Sequence, residues 1–262
     1  MRLTNSEINQ IEDSLLENDQ ENAHILHFWQ PFSFEIDDSY SFLPHGILFS
    51  LLSSLLYGIA WPILAILNKL IFGFTIHHRD NIKNIKGGKI TVSNHVHPMD
   101  CTMNGLANFP SKVYFPTLSS NFKIPIVRHL IYLLQAIPIP EDNKYLTKWA
   151  STIHQLLHQG KTVHFYPEGS LWPYYSTLRR FKNGAFRLSV ENKVPIVPIV
   201  YSFVKPYGIW KYMKKKPCIH ATILDAIYPD PTLPFGEAIN TLKEQVFLAM
   251  KQELEKNHLN PQ

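Results

Sequence analysis

Ser93-Asn94-His95-Val96-His97-Pro98-Met99-Asp100 joins a short β-favouring run, Lys89-Ile90-Thr91-Val92, to a helical stretch that begins near Pro98. A histidine therefore falls in a strand-to-helix turn, with a carboxylate five positions later in the first helical turn. That spacing lets the chain fold back so that Asp100 meets the His95 ring. A carboxylate on one ring nitrogen fixes the tautomer and stabilises the imidazolium that forms. The other nitrogen is left to take a proton from a substrate hydroxyl, and a positioned base of this kind contributes about 10²–10⁴-fold to a rate.

The same residues admit two other readings. In one, Asn94 and His95 cap the turn and Asp100 only sits at a helix N-terminus. In the other, His95 and His97, with Asp100 nearby, hold a metal for hydrolysis. The run resembles the His-x-His-x-Asp-His pattern of metallo-β-lactamase-type hydrolases. Here the carboxylate comes one position late, and Cys101 follows it instead of histidine. Metal ligands must converge on one point at about 2 Å, so the offset counts against a metal. The remaining histidines, His77, His78, His154, His158 and His164, show no convergent spacing and read as structural.

A second polar cluster, Phe165-Tyr166-Pro167-Glu168-Gly169-Ser170, follows another buried strand. In open α/β sheets ligands bind outside the carboxyl ends of the strands, so two such clusters can face one crevice. Glu168 there is a substrate ligand or a structural cap, and the company of His95 and Asp100 favours the ligand.

The elements that must place these residues alternate. Strands are expected at Ile90–Ser93, Val113–Phe115 (ended by Pro116), Ala136–Ile139, Thr162–Tyr166, Ile196–Tyr201 and Ile219–Leu224. Helices are expected at Met99–Asn108, Pro125–Gln135, Tyr145–His158, Asn183–Asn192 and Gly236–Lys256. The last carries Ile239, Leu242, Val246, Met250 and Leu254 on one side. Short apolar strands alternating with helices predict an α/β fold, a mostly parallel central sheet flanked by helices. Before it, Gly46–Leu67 carries no charge, and a membrane-spanning helix takes about 20 apolar residues. Trp61-Pro62 interrupts the run, and an interior proline removes a hydrogen bond. Two apolar helices angled across that break and lying in one leaflet fit as well as one kinked span; the lying pair is favoured, with Tyr57 and Trp61 at headgroup level, and a buried hairpin of core helices is the structural alternative. Further upstream, Thr4-Asn5-Ser6-Glu7 reads as a capping box before a short amphipathic helix carrying Ile8, Ile11 and Leu15, and from about Asn18 to Leu43 the chain reads as a loop or arm. Three regions result: a polar arm over 1–45, a membrane-associated hairpin over 46–76 and a catalytic domain over 77–262.

The 262-residue chain is 45% hydrophobic and 18% charged, which suits a substantial core and excludes wholesale disorder. Net charge is +4, with acidic residues gathered in the stretch up to Asp38 and basic ones later, notably Arg179, Arg180, Lys182, Lys211 and Lys214 to Lys216. A basic face of this kind suits phosphates or an anionic bilayer, and no nucleic-acid-binding motif accompanies it. The run Trp210-Lys211-Tyr212-Met213-Lys214-Lys215-Lys216 fits either a bilayer contact or a solvated loop. Cys101 and Cys218 imply no disulfide framework and a reducing compartment. The start of the chain does not read as a secretory signal.

Taken in order, Asn94-His95-x4-Asp100, Tyr166-Pro167-Glu168-Gly169, Phe181-Lys182-Asn183-Gly184-Ala185 and Val194-Pro195-Ile196-Val197-Pro198-Ile199 resemble the successive blocks of the glycerolipid acyltransferases, the phospholipid/glycerol acyltransferase family. The resemblance spans about residues 77–205. It implies a sheet between helices, preceded by a membrane-docking helix pair. It also implies acyl transfer from acyl-coenzyme A or acyl carrier protein to lysophosphatidic acid or another lysolipid. His95 would be the base and Asp100 its orienting partner. Asn94, Pro167, Glu168, Gly169 and Ser170 would form the acceptor wall, and Lys182 would meet a phosphate. No metal and no bound cofactor are implied; the expected partners are membrane lipids and the acyl carrier, on the cytoplasmic face in monotopic form. Two family arginines are missing: Ser170-Leu171-Trp172 stands where Thr-Arg-Ser follows Glu-Gly, and Gln135 to Glu141 lacks the middle-block arginine. An inactive lipid-binding protein of the same fold is the alternative that this loss suggests.

Overall fold

The protein is described here by a computed structural model covering residues 33–43, 46–125 and 127–259. The capping box at Thr4 and the helix expected around Ile8, Ile11 and Leu15 lie outside these residues. The described end of the arm has no regular structure, yet it is well packed. Phe42 is 2% exposed within the core, and Phe34 stacks on Phe122 with ring centroids 4.9 Å apart.

The strands are β1 (Thr75–His77), β2 (Lys89–Ser93), β3 (Val113–Leu118), β4 (Ala136–Ile139), β5 (Thr162–Phe165), β6 (Ile196–Val204) and β7 (Cys218–Ile223). They form one sheet in the order β1-β7-β6-β2-β5-β3-β4, parallel throughout except for β6 against β7. The helices are α1 (Ile47–Phe72), α2 (Asp80–Lys83), α3 (Asp100–Asn108), α4 (Val127–Leu133), α5 (Leu146–His158), α6 (Gly184–Asn192), α7 (Trp210–Met213) and α8 (Phe235–Leu259). The expected α/β fold with a mostly parallel sheet is the one found. The short elements β1, α2 and α7 carry too few residues to show a period, and the sequence does not announce them.

Alternation along β2 explains the layering. Ile90 and Val92 face a core shared with α5, α6 and α8, where Ile153, Phe186, Leu242, Val246 and Met250 meet them. Thr91 and Ser93 face the opposite side, toward α3, where Asn104 reaches Ser93. The core on that side, with Met103, Leu106, Val197, Ile199 and Tyr201, also takes in Tyr57 and Trp61 from α1.

β3 runs through Pro116 instead of stopping before it. It pairs with β4 at Phe115↔Ala136 and Pro116↔Ile137, while its pairing with β5 covers only Val113 and Tyr114. Phe115 N donates toward β4, to Gln135 O. The next nitrogen along the strand therefore points to the β5 side, beyond the last paired residue, where a proline costs no ladder bond. Pro198 is placed likewise, between the Ile196–Ile227 bridge and the β6–β7 ladder that starts at Ile199.

The apolar segment corrects a second expectation. It is one unbroken helix of 26 residues with Pro62 inside it, not a pair. A proline mid-helix removes one backbone bond, but both flanks of Pro62 are pinned to the same domain. Tyr57 Oη accepts from Val113 N at 3.2 Å, and Asn68 Nδ2 donates to Thr102 Oγ1 at 3.1 Å. Trp61 lies on Gly105, where an added Cβ would fall 1.9 Å from the indole. Ser53, nearer the start, accepts from Gln135 Nε2 at 2.7 Å and donates to Leu133 O. The helix thus docks lengthwise through Ser53, Tyr57, Trp61 and Asn68. Its outward side is Leu48, Leu51, Leu55, Ile59, Ile63, Ile66 and Leu70.

Candidate active site

β2 ends and α3 begins around a tight turn whose centre is the Asp100 carboxylate. Oδ2 accepts from His95 Nδ1 at 2.8 Å and from the backbone N–H groups of Val96 and His97 at 3.1 and 3.3 Å. Oδ1 accepts from the Tyr166 hydroxyl at 2.6 Å. A carboxylate is acceptor-only, so the histidine proton lies on Nδ1 and Nε2 carries the lone pair. The Asp100 side chain is 1% exposed and that of His95 22%, and Nε2 has no protein partner among the described residues. The expected pair is therefore brought together in the geometry of an oriented base.

Behind it stands a buried polar network that links β2, β5, β6 and α3. The Tyr166 ring stacks on His95 at 3.9 Å between centroids. Asn104 Nδ2 donates to Tyr166 Oη at 3.1 Å and lies 2.9 Å from His164 Nε2, and its Oδ1 accepts from Tyr201 Oη at 2.7 Å. Because Asn104 offers a donor, His164 Nε2 accepts, and its Nδ1–H faces Thr91 Oγ1 at 2.9 Å. Burial pushes His164 down to about 3, so it stays neutral. Burial likewise drives the Tyr166 phenol well above its usual range, which keeps it a donor to Asp100. The sequence reading gives Tyr166 no role of its own and sets His164 aside as structural. A signal for both exists: His164 and Tyr166 lie two apart after a strand pairing in which Thr91 opposes His164, so all share one face.

Glu168 adjoins the dyad but is spent differently. Its Oε2 accepts from His95 N at 3.2 Å and from Arg179 Nη2 at 2.9 Å, and its Oε1 from Arg179 N at 3.2 Å. Burial raises its pKa, and the adjacent Arg179 charge opposes that rise. Arg179 also donates to Ser170 Oγ at 2.6 Å and to the Ser170 carbonyl, and its guanidinium lies 4.7 Å from the Trp172 ring centre. Asn94 is fully buried: Nδ2 donates to Tyr201 O at 2.9 Å, and Oδ1 accepts from Tyr201 N at 2.8 Å. Asn94, Glu168 and Ser170 therefore hold the turn from within. Pro167 O accepts from Lys182 N at 2.8 Å, which ties Lys182 to the turn. Gly169 has φ +80, and a Cβ there would fall 2.6 Å from Lys182 Cε. The glycine thus supplies the left-handed turn and the space for the exposed lysine to lie against it. Two more backbone bonds, Trp172 N to His95 O at 3.1 Å and Tyr174 N to Val96 O at 2.8 Å, close the second loop over the first.

His97 turns away from the dyad. Its Nδ1 accepts from Met99 N at 3.1 Å, and its ring meets Phe72 of α1 at 4.7 Å and Tyr174 at 5.6 Å. Burial lowers its pKa, partly offset by Asp100. Among the described residues no three His, Cys, Asp or Glu side chains converge as a metal ion requires.

A model of the Acyltransferase family matches residues 73–202, about half of the chain and the part that carries both loops. Among solved structures, the fold is similar to the crystal structure of the 1-acyl-sn-glycerophosphate (LPA) acyltransferase PlsC from Thermotoga maritima. The match has a TM-score of 0.54 at 20% identity, covering 79% of this chain and 87% of that one. A search of curated proteins gives no match.

Proposed function

The chain belongs to the glycerolipid acyltransferase family, and from that premise we propose that it moves a fatty acyl group from an acyl thioester to a hydroxyl of a lysophospholipid-type acceptor. The observation that carries this reading is the 2.8 Å bond from His95 Nδ1 to a buried Asp100, with Nε2 unpartnered among the described residues. Nε2 takes the acceptor's hydroxyl proton as that oxygen attacks the thioester carbonyl. The carbon–sulfur bond then breaks, and the departing thiolate takes the proton back from the imidazolium. A thioester is already activated, so the protein needs only to orient the reactants and move one proton. The carrier is acyl-coenzyme A or acyl carrier protein.

The acceptor's charge would be met without the family's arginine. Arg179 is committed to Glu168 and Ser170 inside the fold. Lys182, exposed against Gly169, and the exposed Arg180 would supply that charge. Pro167 and Gly169 would shape the acceptor wall, while Asn94, Glu168 and Ser170 hold it in place.

The active form would be monotopic, on the cytoplasmic face. α1 is long and apolar enough to cross a bilayer, with only 17% of its apolar window buried. Yet it is bonded along its length, from Ser53 to Asn68, to the α/β domain. Standing it upright would drag that domain into hydrocarbon, whereas lying flat sinks only its outward leucines and isoleucines. Both thiols are free, as suits a reducing compartment.

The test is purified protein in mixed micelles with lysophosphatidic acid and either acyl carrier, comparing the native chain with Asp100→Asn and His95→Ala. Transfer that depends on both residues supports the reading. Transfer undiminished in His95→Ala removes the proposed base, and absence of transfer with every lysolipid and both carriers removes the activity.

A further inference from the structure

We propose that the segment Ile209–Lys216 is a second bilayer contact, specific for anionic lipid headgroups and continuous with the outward face of α1. The proposal rests on the membrane reading given above for α1, and extends it to a separate element with its own selectivity.

The segment is clipped to the end of α1. The Trp210 indole N–H donates to Leu70 O at 3.2 Å, and Lys69 Nζ lies 5.1 Å from the Trp210 ring centre. Gly73, which ends the helix, has no room for a Cβ: Cys218 Sγ would lie 2.5 Å away and Trp210 3.6 Å. With Trp210 held inward, its neighbours point out. Tyr212 is 91% exposed, Ile209 62% and Met213 60%. Ile66, Leu67, Leu70 and Ile71, at the end of α1 to which Trp210 is bonded, are exposed as well. A soluble surface tolerates scattered apolar side chains, but a contiguous patch marks an interaction site.

The charges select the occupant. Lys211 and Lys214 to Lys216 are interleaved with or follow the apolar residues within one short stretch. Aromatic rings and lysines at the edge of an apolar band are suited to headgroup level, with the amine above and the stem below. Each lysine near an anionic surface contributes about fivefold to binding. At the inner end Lys216 Nζ lies 5.0 Å from the Tyr174 ring centre, and Tyr174 N donates to Val96 O next to His95. A contact here sets the active-site rim against the headgroups from which a lipid acceptor would come.

The experiment is competitive flotation of the full chain with vesicles of phosphatidylcholine alone and vesicles of equal parts phosphatidylcholine and phosphatidylglycerol. The native chain is compared with Lys211→Gln/Lys215→Gln and with Tyr212→Ser/Met213→Ser. Preference for the anionic vesicles is expected to fall about thirtyfold in the lysine pair, two residues at about fivefold each. Added salt should have the same effect on the native chain. The apolar pair should bind both compositions less well. Lysine-pair protein that partitions like the native chain overturns the proposal. Flotation is read without turnover, so loss of the proposed activity and loss of this contact are separate results.

Discussion

After β2 the chain leaves a histidine with one nitrogen bound and the other open; after β5 it leaves a glutamate with both oxygens taken. The two loops lie against each other, joined by the His95 N–Glu168 Oε2 bond and by the backbone bonds from Trp172 and Tyr174. Both stand at carboxyl ends of adjacent parallel strands, and both carry a carboxylate. What separates them is the partner each carboxylate meets. Asp100 takes its donors from its own turn, from His95 and from Tyr166, and so fixes the His95 ring with Nε2 turned outward. Glu168 faces a buried arginine, and an ion pair sealed from water is stable only while both members remain. One loop therefore presents an open ring nitrogen, and the other braces the turn that carries it.

The comparison is sharpest at His95. His95→Ala is expected to lower kcat by about 10²–10⁴-fold while the thermal midpoint stays near that of the native chain. A large loss of stability in this variant would erase the distinction between the loops. Glu168→Ala should do the reverse, leaving Arg179 buried without its counter-charge at a cost of about 3–5 kcal/mol of unfolding free energy. Chemical denaturation reads this directly. A Glu168→Ala protein as stable as the native one, but inactive, would place Glu168 among the groups that touch substrate.

Smaller effects test the network between the loops. His164 is held near 3 by burial against an ordinary value of 6.5. From about pH 6 down toward that lower value the unfolded chain binds a proton that the folded chain refuses, so stability falls as pH falls. The slope from this one group is about 1.4 kcal/mol per pH unit. His164→Gln should flatten it, and an unchanged acid slope would show that the ring is not shielded as described. Least in size, Tyr166→Phe removes the 2.6 Å bond to Asp100 but keeps the ring on His95. The expected loss is about tenfold in kcat, near the worth of one hydrogen bond to a charged group, with KM unaltered. A change confined to KM would instead place that hydroxyl among the groups that bind the acceptor.

The dyad is legible in the sequence because its parts are local: His95 and Asp100 lie within a single turn. The layer order is legible because strands of four to nine residues alternate with helices whose apolar positions repeat. The fate of Glu168 is not, because it depends on Arg179, eleven residues on, and on how deeply both are buried. Residue type alone does not distinguish a wall from a strut. The apolar segment defeats a local reading at Pro62 for a related reason. The cost of the proline is visible, but Gly105, Thr102 and Val113, which hold the helix on both sides of it, are remote in sequence. The opposite character of α1 and α8 does have a local sign. Ser53 and Asn68 are buried in α1, whereas in α8 the buried stripe is Ile239, Leu242, Val246, Met250 and Leu254, as its spacing predicts.

Trp61 rests on Gly105, and Gly105 belongs to the nine-residue helix that opens with Asp100 and carries Asn104. Anchor and acid therefore share one rod. A trimmed fragment starting after Phe72 would leave that rod bare along one flank, with Thr102 and Val113 robbed of their cross-links. This enzyme scaffold offers no clean seam at which the greasy part can be cut away to yield a freely dissolving catalyst.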